Sequence, residues 1–254
     1  MIMNKTLENK TVLVTGGAGG IGAGICQKFA NEGANVIITY NTDAIKAEKL
    51  LKQLNLGNHS VFCASITDSD SLKSLAVFVK TKYDKLDILV NNAGITTPVA
   101  HDDLDGLTDE WIDKIMQTNV RGTFAMVRAF KELLDSPQNT DGGLVVNISS
   151  VAAITGVGSN VAYCASKAAI DSITRSLARA LAPKIRVVSV SPGFVEGEYT
   201  KRFDPNFLKM QLDGTPLSRF ATPQDVANAV YAVATYLKFT TGSIIAVDGG
   251  KPLK

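Results

Sequence analysis

Short runs rich in valine and isoleucine alternate with longer helical patterns from one end of this chain to the other. The runs are Thr11–Thr15, Asn35–Tyr40, Ser60–Cys63, Asp87–Asn91, Leu144–Ile148, Ile185–Val190 and Ser243–Val247. Each is nearly continuous in apolar character, as a strand covered on both faces must be. Between them lie helical segments at Gly22–Asn31, Ala44–Leu54, Asp68–Lys82, Asp109–Leu134, Val161–Ala182 and Pro223–Tyr236. Thr67-Asp68, Thr108-Asp109 and Thr222-Pro223-Gln224-Asp225 supply helix starts, the last with proline in the first turn. Such alternation implies a parallel sheet wound by right-handed crossovers. The expected fold is α/β: a single doubly wound domain over residues 1–254, with about seven parallel strands and helices on both faces.

Two segments break the rhythm. Ser136–Gly143 is a polar, turn-rich loop entering the fifth strand. Gly193–Phe220 is a long stretch without clear periodicity just past the sixth strand. An insertion beyond a strand's carboxyl end is well placed to cover a substrate, so a lid is expected at about 194–220. Phe194, Tyr199, Phe203, Phe207 and Leu208 would give it an apolar contribution to the pocket.

Bulk properties exclude several function classes. The formal net charge is +2, and no lysine- and arginine-rich run interleaved with aromatics calls for nucleic acid. No apolar stretch approaches the ~20 residues of a membrane span. The amino-terminal apolar segment is short and runs straight into glycines, unlike a signal peptide. Cys26, Cys63 and Cys164 are odd in number and have no ligand-like spacing, which reads as reduced thiols in a cytoplasmic protein. His59 and His101 are too few and too far apart to build a metal site alone.

The first strand ends in Thr15-Gly16-Gly17-Ala18-Gly19-Gly20-Ile21-Gly22, and a helix follows. Glycines let the backbone approach a pyrophosphate, while the free N–H groups and dipole of the helix start attract its charge. This placement is that of a Rossmann-type dinucleotide turn. An acidic side chain at the end of the second strand would bind both adenosine ribose hydroxyls and repel a 2′-phosphate; Tyr40 stands there, followed by Asn41. No arginine or lysine occupies Gly19 or Asn41. Absence of the repelling charge favours NADP over NAD.

Tyr163 and Lys167 are four residues apart in a helical segment, so both side chains share one face. A phenol with a reference pKa near ~10 is a poor base at neutral pH, and a neighbouring ammonium stabilises its ionised form. Ser149 and Ser150 end the fifth strand, on the rim that faces the ligand crevice of a doubly wound sheet. A hydroxyl there could hold a substrate oxygen while Tyr163 exchanges a proton. Asn91-Asn92-Ala93-Gly94 closes the fourth strand on the same rim. Asn119 sits inside a helical run, where an amide is a mediocre helix former and needs a reason.

TGGAGGIG at 15–22, NNAG at 91–94, Asn119, Ser150, YCASK at 163–167, PG at 192–193 and VDGG at 247–250 together resemble the short-chain dehydrogenase/reductase family. The match is ordered and spans essentially the whole chain. The resemblance implies an NAD(P)-dependent oxidoreductase moving a hydride between the nicotinamide and a carbonyl or secondary alcohol carbon. It makes Tyr163 the general acid/base and Lys167 a charge beside it that also binds the nicotinamide ribose. Ser150 would orient the substrate oxygen, and Asn119 would hold a water linking Lys167 to solvent. Gly16, Gly19, Gly20, Ile21 and Gly22 would line the pyrophosphate turn, and Asn91, Ala93 and Gly94 the adenosine side. Pro192, Gly193 and Val195 would pack on the nicotinamide. Two positions depart from the pattern: Ser65-Ile66 replaces an Asp-Val pair that meets the adenine, and Gly197 replaces a threonine that bonds the carboxamide. Each change removes a hydrogen bond worth about 0.5–1.5 kcal/mol net.

Within the family the chain resembles 3-oxoacyl-carrier-protein reductases, which makes a 3-oxoacyl thioester the leading substrate. Docking of an acyl carrier would use a basic patch, for which Arg121 and Arg128 are candidates. A sugar or polyol dehydrogenase, a hydroxysteroid-like reductase and a non-catalytic cofactor sensor are the alternatives. The helical segments 109–134 and 161–182 carry small and apolar residues beyond one core face (Ala162, Ala165, Ala168, Ala169, Ile173 and Leu177), which suit either self-association or a helix buried on two sides. The resemblance implies pairing through these helices into a homodimer or homotetramer.

Overall fold

The apolar runs become strands within a residue or two of their expected ends. They are β1 (Thr11–Val14), β2 (Asn35–Tyr40), β3 (Ser60–Cys63), β4 (Ile88–Asn91), β5 (Gly143–Ile148), β6 (Ile185–Pro192) and β7 (Ile244–Val247). The structure, a computed structural model, describes residues 6–55, 57–198, 200 and 204–253. The seven strands form one sheet in the order β3-β2-β1-β4-β5-β6-β7, and every neighbouring pair is parallel. Winding runs outward from β1 to β3, then restarts at β4 on the other side of β1. Crossovers leaving β1 and β4 therefore diverge, and a crevice opens at their carboxyl ends.

Continuous apolar strands arise because successive residues serve opposite faces. Val12, Val14, Val36, Ile38, Val146 and Val190 enter the core beneath α1 (Gly20–Asn31), α2 (Ala44–Gln53) and α9 (Pro223–Thr235). Leu13, Ile37, Leu89, Val145 and Val187 enter the other, beneath α3 (Ser69–Tyr83), α5 (Thr123–Leu134) and α7 (Val161–Leu181). Helix starts are set by side-chain caps. Asp43, Asp68, Thr108, Asn160 and Thr222 each accept a backbone N–H, and Thr222 with Asp225 completes a capping box.

The segment 109–134, expected as one helix, is three pieces: α4 (Asp109–Ile115), a π-helical turn at Met116–Gly122, and α5. The widened turn releases carbonyls from the ordinary ladder, and the Thr123 hydroxyl donates to the Asn119 carbonyl at 2.7 Å. Hydrophobic periodicity does not resolve an extra residue in one turn. Two helices were also unforeseen, α6 (Ala152–Thr155) and α8 (Pro205–Asp213). The second lies in the irregular stretch 194–220, where Asp204 caps it and Pro205 fills the first turn. Tyr199 and Phe203 of that stretch lie outside the described residues.

Phe130 is completely buried between α5 and the sheet. Phe130→Ala should lower the unfolding free energy by about 3–5 kcal/mol. A urea titration would show a lower midpoint at unchanged slope, and an unmoved midpoint would contradict this packing.

Candidate active site

Thr15 ties the two sides of the crevice together. Its hydroxyl oxygen accepts from the N–H groups of Asn92 at 2.9 Å and Ala93 at 3.0 Å. The Asn92 amide returns two bonds, to the carbonyls of Thr15 at 2.9 Å and Gly16 at 3.1 Å. Above this clasp the glycine turn has two distinct parts. A Cβ on Gly22 would lie 2.5 Å from the Gly16 carbonyl oxygen and 2.7 Å from the Asn92 amide, so the turn closes only on glycine there. Gly19 and Gly20 face open space, and Gly20 has a positive φ of 47° as it enters α1. Gly19, the N-cap, offers α1 no side-chain cap, in contrast to the capped helices above. No side chain takes up the first-turn N–H groups at this start, where Gly19 and Gly20 are exposed, which is the arrangement that anion binding uses.

The residues expected to border adenosine are more varied than the sequence suggested. Tyr40 is half-buried against the core and Asn41 is exposed. Asp43, three residues past Tyr40, spends its carboxylate on the Lys46 N–H at the start of α2. The Ser65 hydroxyl pairs with that of Thr67 at 2.9 Å. Ile66 is buried in the core, where its tip sits under Gly122 of the π-helical turn. Asn91 is likewise turned inward, its amide donating to Asn147 at 2.9 Å. Val195 belongs to the core on the other face. Ile66, Asn91 and Val195 thus leave only backbone groups to meet a ligand, a distinction invisible to a motif.

At the carboxyl ends of β4, β5 and β6 the remaining residues converge. Lys167 is buried, and its ammonium donates to the Ile148 carbonyl at 2.9 Å while lying 5.6 Å from the centre of the Tyr163 ring. Burial pulls this ammonium down to about 8, with the charge of Asp171 acting in the opposite direction. Asn119 is fully buried in the π-helical turn. Its side chain accepts from the Ile95 N–H at 2.8 Å and donates to the Ile95 carbonyl and the Ser166 hydroxyl, each at 3.0 Å. It braces the loop after β4 against α7, with Gly94 seated against Asn119 and Lys167. The Ser150 hydroxyl oxygen accepts from the Ala152 N–H at 3.2 Å at the start of α6. Pro192 ends β6, its carbonyl accepting from Val151 at 2.8 Å, and Gly193 is bonded to Val247 at 3.0 Å.

Two contributors escaped the sequence reading. Asn160 caps α7 by accepting from the Tyr163 N–H at 2.7 Å, and its amide donates to the Thr97 carbonyl at 2.7 Å. It fixes where Tyr163 begins its helix relative to the loop after β4. An asparagine immediately before a periodic segment is a recognisable cap signal. Asp171, one turn beyond Lys167, is also buried; its spacing was visible but nothing local showed that it points inward. On the far side, Phe194 packs against Phe220 at 4.7 Å and Phe207 at 6.3 Å between ring centres. These contacts, with the Val195–Ala221 bridge, tie the two ends of the 194–220 excursion together.

Gly22→Ala should cost about 1–3 kcal/mol through overpacking of the turn, whereas Gly19→Ala should leave the melting temperature nearly unchanged. Equal melting temperatures for both variants in thermal unfolding would contradict the contacts described for Gly22.

Comparison with known proteins places this arrangement. A family model described as enoyl-(acyl carrier protein) reductase matches residues 16–251. The 3-oxoacyl-[acyl-carrier-protein] reductase FabG of Thermotoga maritima is 34% identical over 248 residues, covering 96% of this chain and 98% of that one. The enzyme of the same name from Staphylococcus aureus strain Mu50 is 34% identical over 251 residues, covering 95% and 97%. Among solved structures, a Burkholderia xenovorans protein described as a short-chain dehydrogenase/reductase superposes with a TM-score of 0.87 at 31% identity, covering 96% and 98%. A Brucella melitensis protein described as a short-chain dehydrogenase/reductase of the glucose/ribitol dehydrogenase kind gives 0.87 at 29% identity, covering 98% and 99%. The clasped glycine turn and the buried lysine under a tyrosine ring are thus set in a full-length match: the chain belongs to the short-chain dehydrogenase/reductase family and is an NAD(P)-dependent oxidoreductase.

Proposed function

We propose that the protein reduces the ketone of a 3-oxoacyl thioester, or oxidises the corresponding alcohol, with Tyr163 exchanging the proton. The observation that carries this reading is the buried Lys167 cation, 5.6 Å from the centre of the Tyr163 ring at the carboxyl edge of the sheet. A cation there stabilises negative charge developing on the phenol oxygen. Ser150, on the same rim, orients the substrate oxygen, and Asn119 holds the post-β4 loop and α7 in register. The acyl-thioester assignment draws on the relatives from Thermotoga and Staphylococcus, whose names state that substrate class. Arg128 is exposed on α5 and suits an acidic carrier, while Arg121 is tied to the Thr67 carbonyl at 2.6 Å.

The residues present fit a nicotinamide dinucleotide. Gly16, Gly19, Gly20, Ile21 and Gly22 would hold the pyrophosphate at the uncapped start of α1. Tyr40, Asn41, Ser65 and the backbone of Ile66, Asn91, Ala93 and Gly94 would border the adenosine. Tyr163, Lys167, Pro192, Gly193 and the backbone of Val195 would border the nicotinamide end. The bound nicotinamide supplies or accepts the hydride. We favour NADP, because Tyr40 leaves no carboxylate at the end of β2 to repel a 2′-phosphate; Asp43 nearby is committed to capping α2. The segment 194–220, tethered at both ends by Phe194 and Phe220, serves as the substrate lid.

No helix among the described residues is long and apolar enough to cross a membrane, and with three free cysteines this supports action in the cytoplasm. Exposed Val161, Ala165 and Ala168 on α7, with exposed Phe124 on α5, support a homo-oligomer.

Tyr163→Phe should lower kcat on 3-oxoacyl thioesters by about 10²–10⁴-fold, with cofactor affinity kept. Unchanged turnover would sink the proton-transfer assignment. A panel adding sugars, steroid ketones and enoyl thioesters tests the substrate, and preference for any of these would overturn the acyl-ketone reading. Thermal-shift titration should show larger stabilisation by NADP⁺ than by NAD⁺ at equal concentration. For pH, Lys167 is cationic below about 8 and loses that charge above it. Reductive turnover should therefore fall along an alkaline limb beginning near that value.

A further inference from the structure

Asp171 is a buried carboxylate that the chemistry above does not use, and its position makes a role hard to avoid. The alternation that sends Leu89, Val145 and Val187 into the core beneath α7 sends Asn91, Asn147 and Ser189, two residues later on each strand, to the same face. These polar side chains form a ladder under α7. Asn91 bonds Asn147 at 2.9 Å, Asn147 bonds Thr174 at 2.9 Å, and the Ser189 hydroxyl reaches the Asn147 carbonyl at 3.2 Å and the Asp171 carboxylate at 3.3 Å. The Ser149 hydroxyl lies 3.3 Å from the Lys167 carbonyl and also within bonding reach of Asp171. Asp171 and Lys167 follow one another at i, i+4 on α7, and only 4% and 6% of them is exposed.

Charges acting on Asp171 come from Lys167 and Arg175, both on α7. β5 presents Asn147, the residue just after it Ser149, β6 Ser189, and the π-helical turn Asn119, all neutral. Lys167 is thus placed between the Tyr163 ring on one side and a carboxylate one turn further along α7. A buried ammonium without a nearby opposite charge would shed its proton.

We infer that Asp171 is a positioning residue: the internal counter-charge that keeps Lys167 cationic beneath Tyr163 and so sets the pH range in which the tyrosine works. This rests on the Tyr163–Lys167 reading above. The sign does not depend on which member of that pair gives up its proton first, since a nearby negative charge opposes the loss from either. Removing it moves the first proton loss of the pair to lower pH.

The test reads Lys167 directly, without substrate. Protein labelled with ¹³C at lysine Cε is titrated by NMR, and the Lys167 signal is identified by its loss in Lys167→Arg. In the native protein the signal should also show a smaller step in the acid range as Asp171 itself titrates; absence of that step overturns the inference even if no variant folds. In Asp171→Asn the main step should move down by about one pH unit, and Asp171→Glu should restore most of it. Asp171→Ser serves where the amide does not fold. The alkaline limb of turnover should shift by the same amount while KM for the cofactor changes little. An unshifted Lys167 titration in a folded neutral variant overturns the proposal and leaves the role of Tyr163 standing. Retained activity in Tyr163→Phe removes that role instead, whatever Asp171 does.

Discussion

Holding one ammonium ion inside the protein is the constraint around which this fold's functional edge is arranged. Lys167 is removed from water, and an isolated buried cation is far too costly to persist unaided. The structure supplies a carbonyl at 2.9 Å, a carboxylate one turn away and a tyrosine ring above. Beneath the same helix the strands carry polar residues, of which Ser189 reaches the Asp171 carboxylate at 3.3 Å while Asn91 and Asn147 bond one another and Thr174. Val90, Val146 and Val188 continue the hydrophobic pattern, but Asn91, Asn147 and Ser189 beside them do not.

Meeting that demand fixes the surrounding backbone as well. The face that carries Lys167 must approach the loop after β4, and the π-helical turn brings Asn119 into that gap. There it bonds both backbone groups of Ile95 and the hydroxyl of Ser166. Asn160 fastens the start of α7 to the same loop. A proton-exchanging side chain needs such fixed surroundings, because small displacements at a reacting centre carry large penalties in rate. The opposite end of the crevice follows a different rule. There α1 starts without a side-chain cap, a cost tolerable where an anion or water completes its first turn.

Much of the fold was legible in the residues. Seven runs with apolar side chains on both faces are hard to reconcile with anything except a covered parallel sheet, and the observed strands follow them closely. Candidate residues Gly16, Gly22, Ser150, Tyr163 and Lys167 stand at strand ends or on one helix face because spacing alone dictates it. Less legible were features set by distant partners. At the break over Met116–Gly122, Ile66 lies where a Cβ on Gly122 would sit, and the Thr123 hydroxyl takes up the Asn119 carbonyl. The start of α8 was readable in Asp204-Pro205, but the aromatic contacts that seat it join residues 13 and 26 positions beyond Phe194.

Local chemistry therefore determined the elements, the glycine turn and the pairing of Tyr163 with Lys167, since each depends on periodicity or on conformational limits of nearby residues. Tertiary structure alone decided which polar groups face inward. Asn91, Ile66 and Val195 occupy motif positions yet bury their side chains, and Asp171, in no motif, lies behind the lysine. The reason is physical: burial and pairing of a charge are fixed by strands and helices that meet only when the chain folds, and a spacing along one helix does not show what waits on the other side.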